Sequence, residues 1–296
     1  MNSLIVILGP TGIGKTDLSI EIAKEFNTEI ISSDSRQVYK ELKIGTAVPN
    51  DEQLTKVKHH FIGNKSIYDY YNASMFEFEV LDLLEILFQN HNQVVMTGGS
   101  GMYINAVCDG IDDLPTIDKK LRDDLVQKHK EEGIESLRLQ LKMLDPETYS
   151  KIDLKNPKRI LKALEVTIQT GKPYSTFLSE TRKKRNFNII KIGLQRERNE
   201  LYQRINLRVD QMIDEGLIDE AKRLYKDRNL NSLNTVGYKE LFAHFDGEIT
   251  EEKAIELIKR NSRHYAKRQI SWFSRDKEIE WFHPDKKDEI IRFING

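Results

Sequence analysis

Residues 9–16 read Gly9-Pro10-Thr11-Gly12-Ile13-Gly14-Lys15-Thr16 and follow directly on the apolar run Leu4-Ile5-Val6-Ile7-Leu8. Asp17 to Lys24 then continue with apolar residues at helical spacing, so the order is buried strand, glycine-rich loop, amphipathic helix. Gly9, Gly12 and Gly14 let the backbone turn tightly and approach an anion. The freed amides and the helix N-terminus then face a phosphate. Lys15 is expected on the terminal phosphates and the Thr16 hydroxyl on a magnesium ion, the one cofactor the pattern calls for. The loop from Gly9 to Thr16 therefore binds a di- or triphosphate, and what is done with that ligand has to be read elsewhere.

Outward from this loop the chain alternates short apolar runs with helical patterns, which predicts an α/β fold with a P-loop NTPase-like parallel sheet flanked by helices. Strands are expected at 3–8, 28–33, 93–97 and 188–194, and helices at 15–26, 74–90, 101–108, 197–226 and 250–274. From Asp118 onward the texture changes to charged amphipathic helices without a strand, until the pattern resumes at Asn188. The expected organisation is a catalytic core of residues 1–117 and 188–296 with an all-helical insertion domain, residues 118–187. One helix of the insertion is delimited by Asn156 as N-cap, Pro157 at the first position and Gly171 as terminator. Its first turn carries Lys158, Arg159 and Lys162 at the positive end of the helix dipole, unfavourable by roughly 0.3–1 kcal/mol per charge. That turn is either a solvated basic face or a docking point for a polyanion.

The 296 residues can hold one large α/β domain and a smaller one, and their net charge of −1 restricts any nucleic-acid surface to a local patch. One cysteine, Cys108, excludes an internal disulfide and a cysteine-rich zinc site. No apolar stretch reaches membrane-spanning length, and a strand starting at once leaves no room for a signal peptide, so a cytoplasmic protein without a membrane partner is expected.

Four further segments carry chemistry. Ser33-Asp34-Ser35-Arg36-Gln37 ends the second strand, on the sheet edge that faces the phosphate loop in a parallel fold. Asp34 there is a general base, a magnesium neighbour or a simple turn cap. The third strand ends in Thr97-Gly98-Gly99-Ser100 and lacks the acid that ATP hydrolases carry at that point. Arg204 and Arg208 lie four residues apart on one helical face, either a plain exposed basic face or a pair whose repulsion a bound diphosphate would remove. Residues 259–275 hold six Lys or Arg and no acid, interleaved with Tyr265 and Trp272, a composition that suits splayed and stacked RNA bases or a plain basic helix.

Taken in order, GPTGIGKT, SSDSRQVYK, KIGTAVP, TGGSGMY, NPKRILKALEV, VGYKE and AKRQISW resemble the landmarks of the tRNA dimethylallyltransferases, also called tRNA isopentenyltransferases, in their shorter bacterial form. The resemblance runs from Leu4 to about Phe282. It implies transfer of a dimethylallyl group from its diphosphate to N6 of the adenine 3′-adjacent to the anticodon, in a monomer whose partners are the tRNA anticodon stem-loop and dimethylallyl diphosphate. Under it Asp34, Thr16 and Arg208 are catalytic, with Arg204 joining residues 9–16 around the donor. It further implies tRNA contacts from Asp34, Ser35, Arg36, Gln37, Ser100, Arg122, Lys158, Arg159, Arg263, Lys267, Arg268, Gln269 and Trp272. Ser100 stands where the family usually has Thr, which keeps the hydroxyl. Two other uses of the loop compete with this reading: an ATP-dependent small-molecule or nucleoside kinase, and a nucleotide-switched RNA-binding module.

Overall fold

The computed structural model describes residues 2–112, 114–178 and 182–296. In chain order the elements are β1 (Ser3–Leu8), α1 (Lys15–Glu25), β2 (Ile30–Ser32), α2 (Asp51–Lys56), β3 (His59–His60), α3 (Ala73–Leu87), β4 (Gln93–Gly98) and α4 (Gly101–Asp109). There follow α5 (Lys119–Glu132), α6 (Ile134–Leu144), α7 (Pro146–Lys151) and α8 (Pro157–Thr170), and then β5 (Asn188–Leu194). The chain ends with α9 (Arg198–Asp214), α10 (Leu217–Leu224), α11 (Tyr238–Phe245), α12 (Glu251–Phe273), β6 (Glu280–Phe282) and α13 (Lys287–Asn295).

The strands form one parallel sheet in the order β3-β2-β4-β1-β5-β6. β1 lies between β4 and β5 with every residue buried, which is why it reads as an unbroken apolar run rather than an alternation. Because all strands point the same way, the carboxyl ends of β1, β2, β4 and β5 share one edge. Ligands bind in parallel sheets along that edge, where the connections diverge to opposite sides.

β1 and β5 occupy the predicted residues, while β2 is shorter than the expected 28–33 and β4 runs one residue longer than 93–97. β3 and β6 are short strands at the two margins of the sheet. The helix predicted over 197–226 is broken at Gly216, whose φ of 99° leaves the helical region and separates α9 from α10.

The chain divides into two compact units, residues 1–109 with 184–296 and residues 110–183. The expected limits of 118 and 187 differ from these for a physical reason. Residues 110–112 and 114–117 are irregular and offer no periodicity to read. At the return, Arg185 donates to the carbonyls of Ala106 and Val107 and pairs with Glu77, while Phe187 packs on Phe88. The second unit has its own core of Leu125, Leu137, Leu141, Ile160, Ala163 and Leu164. Its α8 is capped as its sequence predicts, with the Asn156 side chain accepting from the Arg159 amide and Gly171 at φ 68°.

At the shared edge, β2 and β4 meet so closely that a Cβ on Gly98 would lie 2.2 Å from Ser33 Oγ and 2.5 Å from the Ser33 carbonyl oxygen. The Ser33 amide donates to the Thr97 carbonyl at 2.7 Å, so neither backbone can retreat cheaply. Gly98→Ala is expected to destabilise the protein by about 1–3 kcal/mol in denaturant unfolding, the usual cost of overpacking. Unchanged stability would show that the two strand ends can part.

Candidate active site at the carboxyl edge of the sheet

The phosphate loop leaves β1 with Gly9, Gly12 and Gly14 at φ 151°, 77° and 108°. At Gly12 positive φ coincides with a Cβ position 3.0 Å from Ile205 of α9, and at Gly9 with one 3.1 Å from the Leu194 carbonyl oxygen. Four carbonyl oxygens of the loop are engaged by cations. Lys15 Nζ donates to Gly9 and Pro10 at 3.0 and 2.9 Å, Arg204 Nε to Gly12 at 2.9 Å, and Arg196 Nε to Ile13 at 3.2 Å. Arg208 reaches across the site from α9, with Nη1 3.4 Å from Thr11 Oγ1 and Nη2 3.4 Å from the Ala47 carbonyl oxygen. Arg204 and Arg208, paired on one face by their spacing, thus attach to different parts of the cradle. Arg196 escaped the sequence reading because it precedes the helix and belongs to no motif.

Asp34 answers the choice left open by its sequence position. One carboxylate oxygen, Oδ1, accepts from the amides of Arg36 at 2.8 Å and Gln37 at 3.3 Å and closes the turn after β2. Oδ2 has no hydrogen-bond partner among the described residues, and Asp34 lines the central cavity near Lys15 and Arg208. The residue is a turn cap through one oxygen and has the other available for a proton.

Beside it, the Ser35 amide donates to Ser100 Oγ at 2.9 Å, tying the β2 and β4 loops together. Arg36 Nη1 donates to the Ser232 carbonyl at 3.1 Å. Gln37 is held at both ends of its amide: Nε2 donates to the Thr46 and Ala47 carbonyls at 3.1 and 3.0 Å, and Oε1 accepts from the Ser32 hydroxyl. The loop at Thr46 and Ala47 was not a predicted part of the site. Ala47 has φ 49°, a left-handed conformation that its residue type does not announce.

On α12, Gln269 is buried, its Oε1 accepting from the Thr11 amide and its Nε2 donating to the Gly99 carbonyl, both at 2.9 Å. This side chain joins the phosphate loop to the turn after β4, and its amide is committed to protein backbone. Trp272, also on α12, lies against Gly101 and stays 39% exposed. Lys267 and Arg268 face solvent, with Arg268 over the Tyr265 ring, while Arg263 bonds Asn206 at 2.6 Å. These elements enclose a cavity of about 960 Å³ lined by Lys15, Thr16, Asp34, Gln37, Arg208 and Tyr265 among others. In the helical unit, Lys158 and Arg159 are exposed at the start of α8, and Arg122 forms a two-pronged pair with Glu165 at 2.9 Å on each prong. Among the described residues no cluster of His, Cys, Asp or Glu could hold a metal ion, and no helix is long and apolar enough to cross a membrane.

Residues 37–276 match the family described as IPP transferase. The tRNA dimethylallyltransferase 1 of Phocaeicola vulgatus is 55% identical over 295 residues, covering 100% of this chain and 98% of that protein. The tRNA dimethylallyltransferase 1 of Bacteroides fragilis is 56% identical over 294 residues, covering 99% and 98%. Among solved structures, the tRNA isopentenylpyrophosphate transferase of Bacillus halodurans aligns with a TM-score of 0.73 at 37% identity, covering 100% of this chain and 96% of that one. A eukaryotic dimethylallyltransferase acting on tRNA aligns with a TM-score of 0.79 at 25% identity, covering 99% of this chain and 78% of that one.

Lys15 gives the site a measurable electrostatic signature. Burial of its amine, then the charge of Arg208, lower its pKa to about 7, against an opposing pull from Asp34. A bound anion favours the charged form and raises that pKa again. Diphosphate binding at pH 8 is therefore expected to take up a proton, and affinity to fall as pH rises through the pKa of the free site. Calorimetry in buffers of different ionisation enthalpy measures this; proton release or no exchange would contradict it.

Proposed function

The chain belongs to the IPP transferase family, and on that premise we propose that it transfers a dimethylallyl group from dimethylallyl diphosphate to N6 of the adenine 3′-adjacent to the anticodon in tRNA, releasing diphosphate. The observation that carries this reading is one cavity holding both a phosphate cradle and an acid with a free oxygen, in a chain 55% identical to a tRNA dimethylallyltransferase over its full length. The turn after β4 supports it too, since the chain there reads Thr97-Gly98-Gly99 where ATP hydrolases carry an acid.

In this mechanism the adenine leaves the anticodon-loop stack to reach the cavity. Its N6 attacks the allylic carbon, the carbon–oxygen bond to diphosphate breaks, and Asp34 Oδ2 takes the N6 proton. Charge accumulating on the departing diphosphate is met by the amides of residues 12–16 and by Lys15, Arg204 and Arg208, groups held in place before the reaction begins. An allylic carbon tolerates a loose, cation-like transition state, so a weak amine suffices when it is well oriented. Ser35, Arg36, Gln37 and Ser100 would shape the base pocket. Arg122, Lys158, Arg159, Arg263, Lys267, Arg268 and Trp272 would contact RNA through phosphate pairing and stacking. Gln269 acts in this reading on the protein, holding the phosphate loop beneath the RNA.

The donor set fits magnesium bound through its substrate. Thr16 and Asp34 line the cavity, and no cluster of three ligands lies among the described residues. Magnesium is commonly held by few protein oxygens together with substrate phosphates. Thr16 would hold it here, and when bound it draws charge off the leaving diphosphate. A cytoplasmic monomer completes the proposal.

The test is transfer of labelled dimethylallyl diphosphate to unmodified tRNA with magnesium, run beside ATP consumption. Label in an anticodon-loop adenine without ATP use is expected; steady ATP turnover without label would replace the proposal with a kinase. Asp34→Ala should still bind tRNA and donor while transfer falls at least about a hundredfold, as for loss of a general base. Near-normal turnover of that variant would remove Asp34 from the role.

A further inference from the structure

Glu220 on α10 is 4% exposed, and no ion pair is found for it among the described residues. A carboxylate out of water needs either a cation or several hydrogen-bond donors. Here the donors are neutral and come from one loop and one tyrosine. Oε2 accepts from the amides of Lys43 and Ile44 at 3.1 and 3.0 Å, and Oε1 from the amide of Gly45 at 3.0 Å and the Tyr238 hydroxyl at 2.7 Å. Tyr238 is itself fully buried, and the loop lies on its ring so closely that a Cβ on Gly45 would sit 2.6 Å from the ring carbon Cζ. Three successive amides thus converge on one carboxylate, and a single side chain sets where this stretch of loop runs.

What the loop does next connects Glu220 to the reaction. Immediately after the anchored amides come Thr46 and Ala47, the latter strained at φ 49°. Their carbonyl oxygens receive the Gln37 amide, and that of Ala47 also receives Arg208 Nη2. Strain of this kind persists only where the surroundings impose it. Here it turns two carbonyls toward the cavity side chains that lie nearest the expected base and the expected leaving group.

Resting on the proposed transfer reaction, we propose that Glu220 is a positioning residue for it: by gathering the amides of Lys43, Ile44 and Gly45 it fixes the loop whose Thr46 and Ala47 carbonyls aim Arg208 and Gln37 into the cavity. Glu220 touches neither substrate. Its effect reaches the chemistry through two side chains whose orientation it sets, and small misplacements of such groups are expensive in rate.

Glu220→Gln keeps the shape of the side chain but turns an amide NH2 toward backbone donors, leaving at least one of them unsatisfied. With saturating tRNA, kcat/KM for dimethylallyl diphosphate is expected to fall by roughly 10- to 100-fold, the scale of a misplaced catalytic group. The deciding measurement is a double-mutant cycle with Arg208→Ala. If Glu220 works through Arg208, adding Glu220→Gln to Arg208→Ala costs less than about threefold, whereas independent effects multiply in full. Hydrogen exchange gives a second readout free of activity: peptides spanning 43–47 should exchange faster in Glu220→Gln while the sheet keeps its protection. Multiplying factors, or unchanged exchange in 43–47, would overturn the proposal. If Glu220→Gln does not fold, Tyr238→Phe removes one donor while retaining the ring, and the same cycle and exchange pattern apply with a loss of about two- to tenfold. A wild-type chain that transfers nothing to tRNA sinks the proposed function itself. An active wild type with multiplying factors sinks only the role of Glu220.

Discussion

The carbonyl oxygens of Gly9, Pro10, Gly12 and Ile13 accept hydrogen bonds from Lys15, Arg204 and Arg196. A peptide unit carries its N–H opposite its C=O, so a loop that presents amides to an anion must dispose of its carbonyls on the other side. Side chains that reach those carbonyls therefore decide whether the cradle keeps its shape. In this chain they come from the loop itself, from α9 and from the segment just before α9, with Gln269 of α12 taking the Thr11 amide as well. That requirement explains why residues about two hundred positions downstream must pack on β1, and why the parallel sheet is useful. It brings the ends of β1, β2, β4 and β5 to one edge, where α9 and α12 can bridge them.

The same arrangement concentrates positive charge in a chain whose net charge is −1. Burial and then the charge of Arg208 depress the charged state of Lys15, burial and then the charge of Arg204 depress that of Arg208, and Asp34 offsets only part of either. A site built this way is electrostatically incomplete by itself. Its fields are arranged for a polyanion, and the free energy released when one arrives is available for holding the loop and the donor in register. A reaction whose leaving group is diphosphate gains from such an arrangement more than one that must leave the cavity uncharged.

The centre of this fold was legible in the sequence and its margins were not. β1 and the phosphate loop combine an apolar run, three glycines and a following amphipathic helix, each with its own physical warrant, and the structure has them at the predicted residues. The cap of α8 was equally readable because Asn156, Pro157 and Gly171 act locally. β3 and β6 were missed because two or three residues at a sheet margin carry no periodicity. Gln269 is more instructive. Its basic and aromatic neighbours suggested a place on RNA, yet Ile258, Ala266 and Phe273 mark the buried stripe of α12, and position 269 falls on it. Composition described the helix as a whole, whereas the 3.6-residue period assigned the side chain. The loop at Ala47 offered neither signal, since its left-handed backbone is imposed by partners distant in sequence.

Those distant partners share a chemistry. Glu220 takes three loop amides, Asp34 takes two, Glu240 takes the Gly237 amide with the Asn261 side chain, and Asp145 takes the amides of Thr148 and Ser175. In each case a carboxylate is satisfied largely by neutral donors fixed in the backbone rather than by a lysine or arginine. Near a phosphate site this choice has a consequence. A loop held by an ion pair can lose its cation to an incoming diphosphate, because the ligand competes for the same partner. Backbone amides have no freedom to leave, so an anchor made from them keeps its geometry whether or not the anion is bound. Around Glu220, the loop whose Ala47 carbonyl receives Arg208 is thereby held by groups the ligand does not compete for.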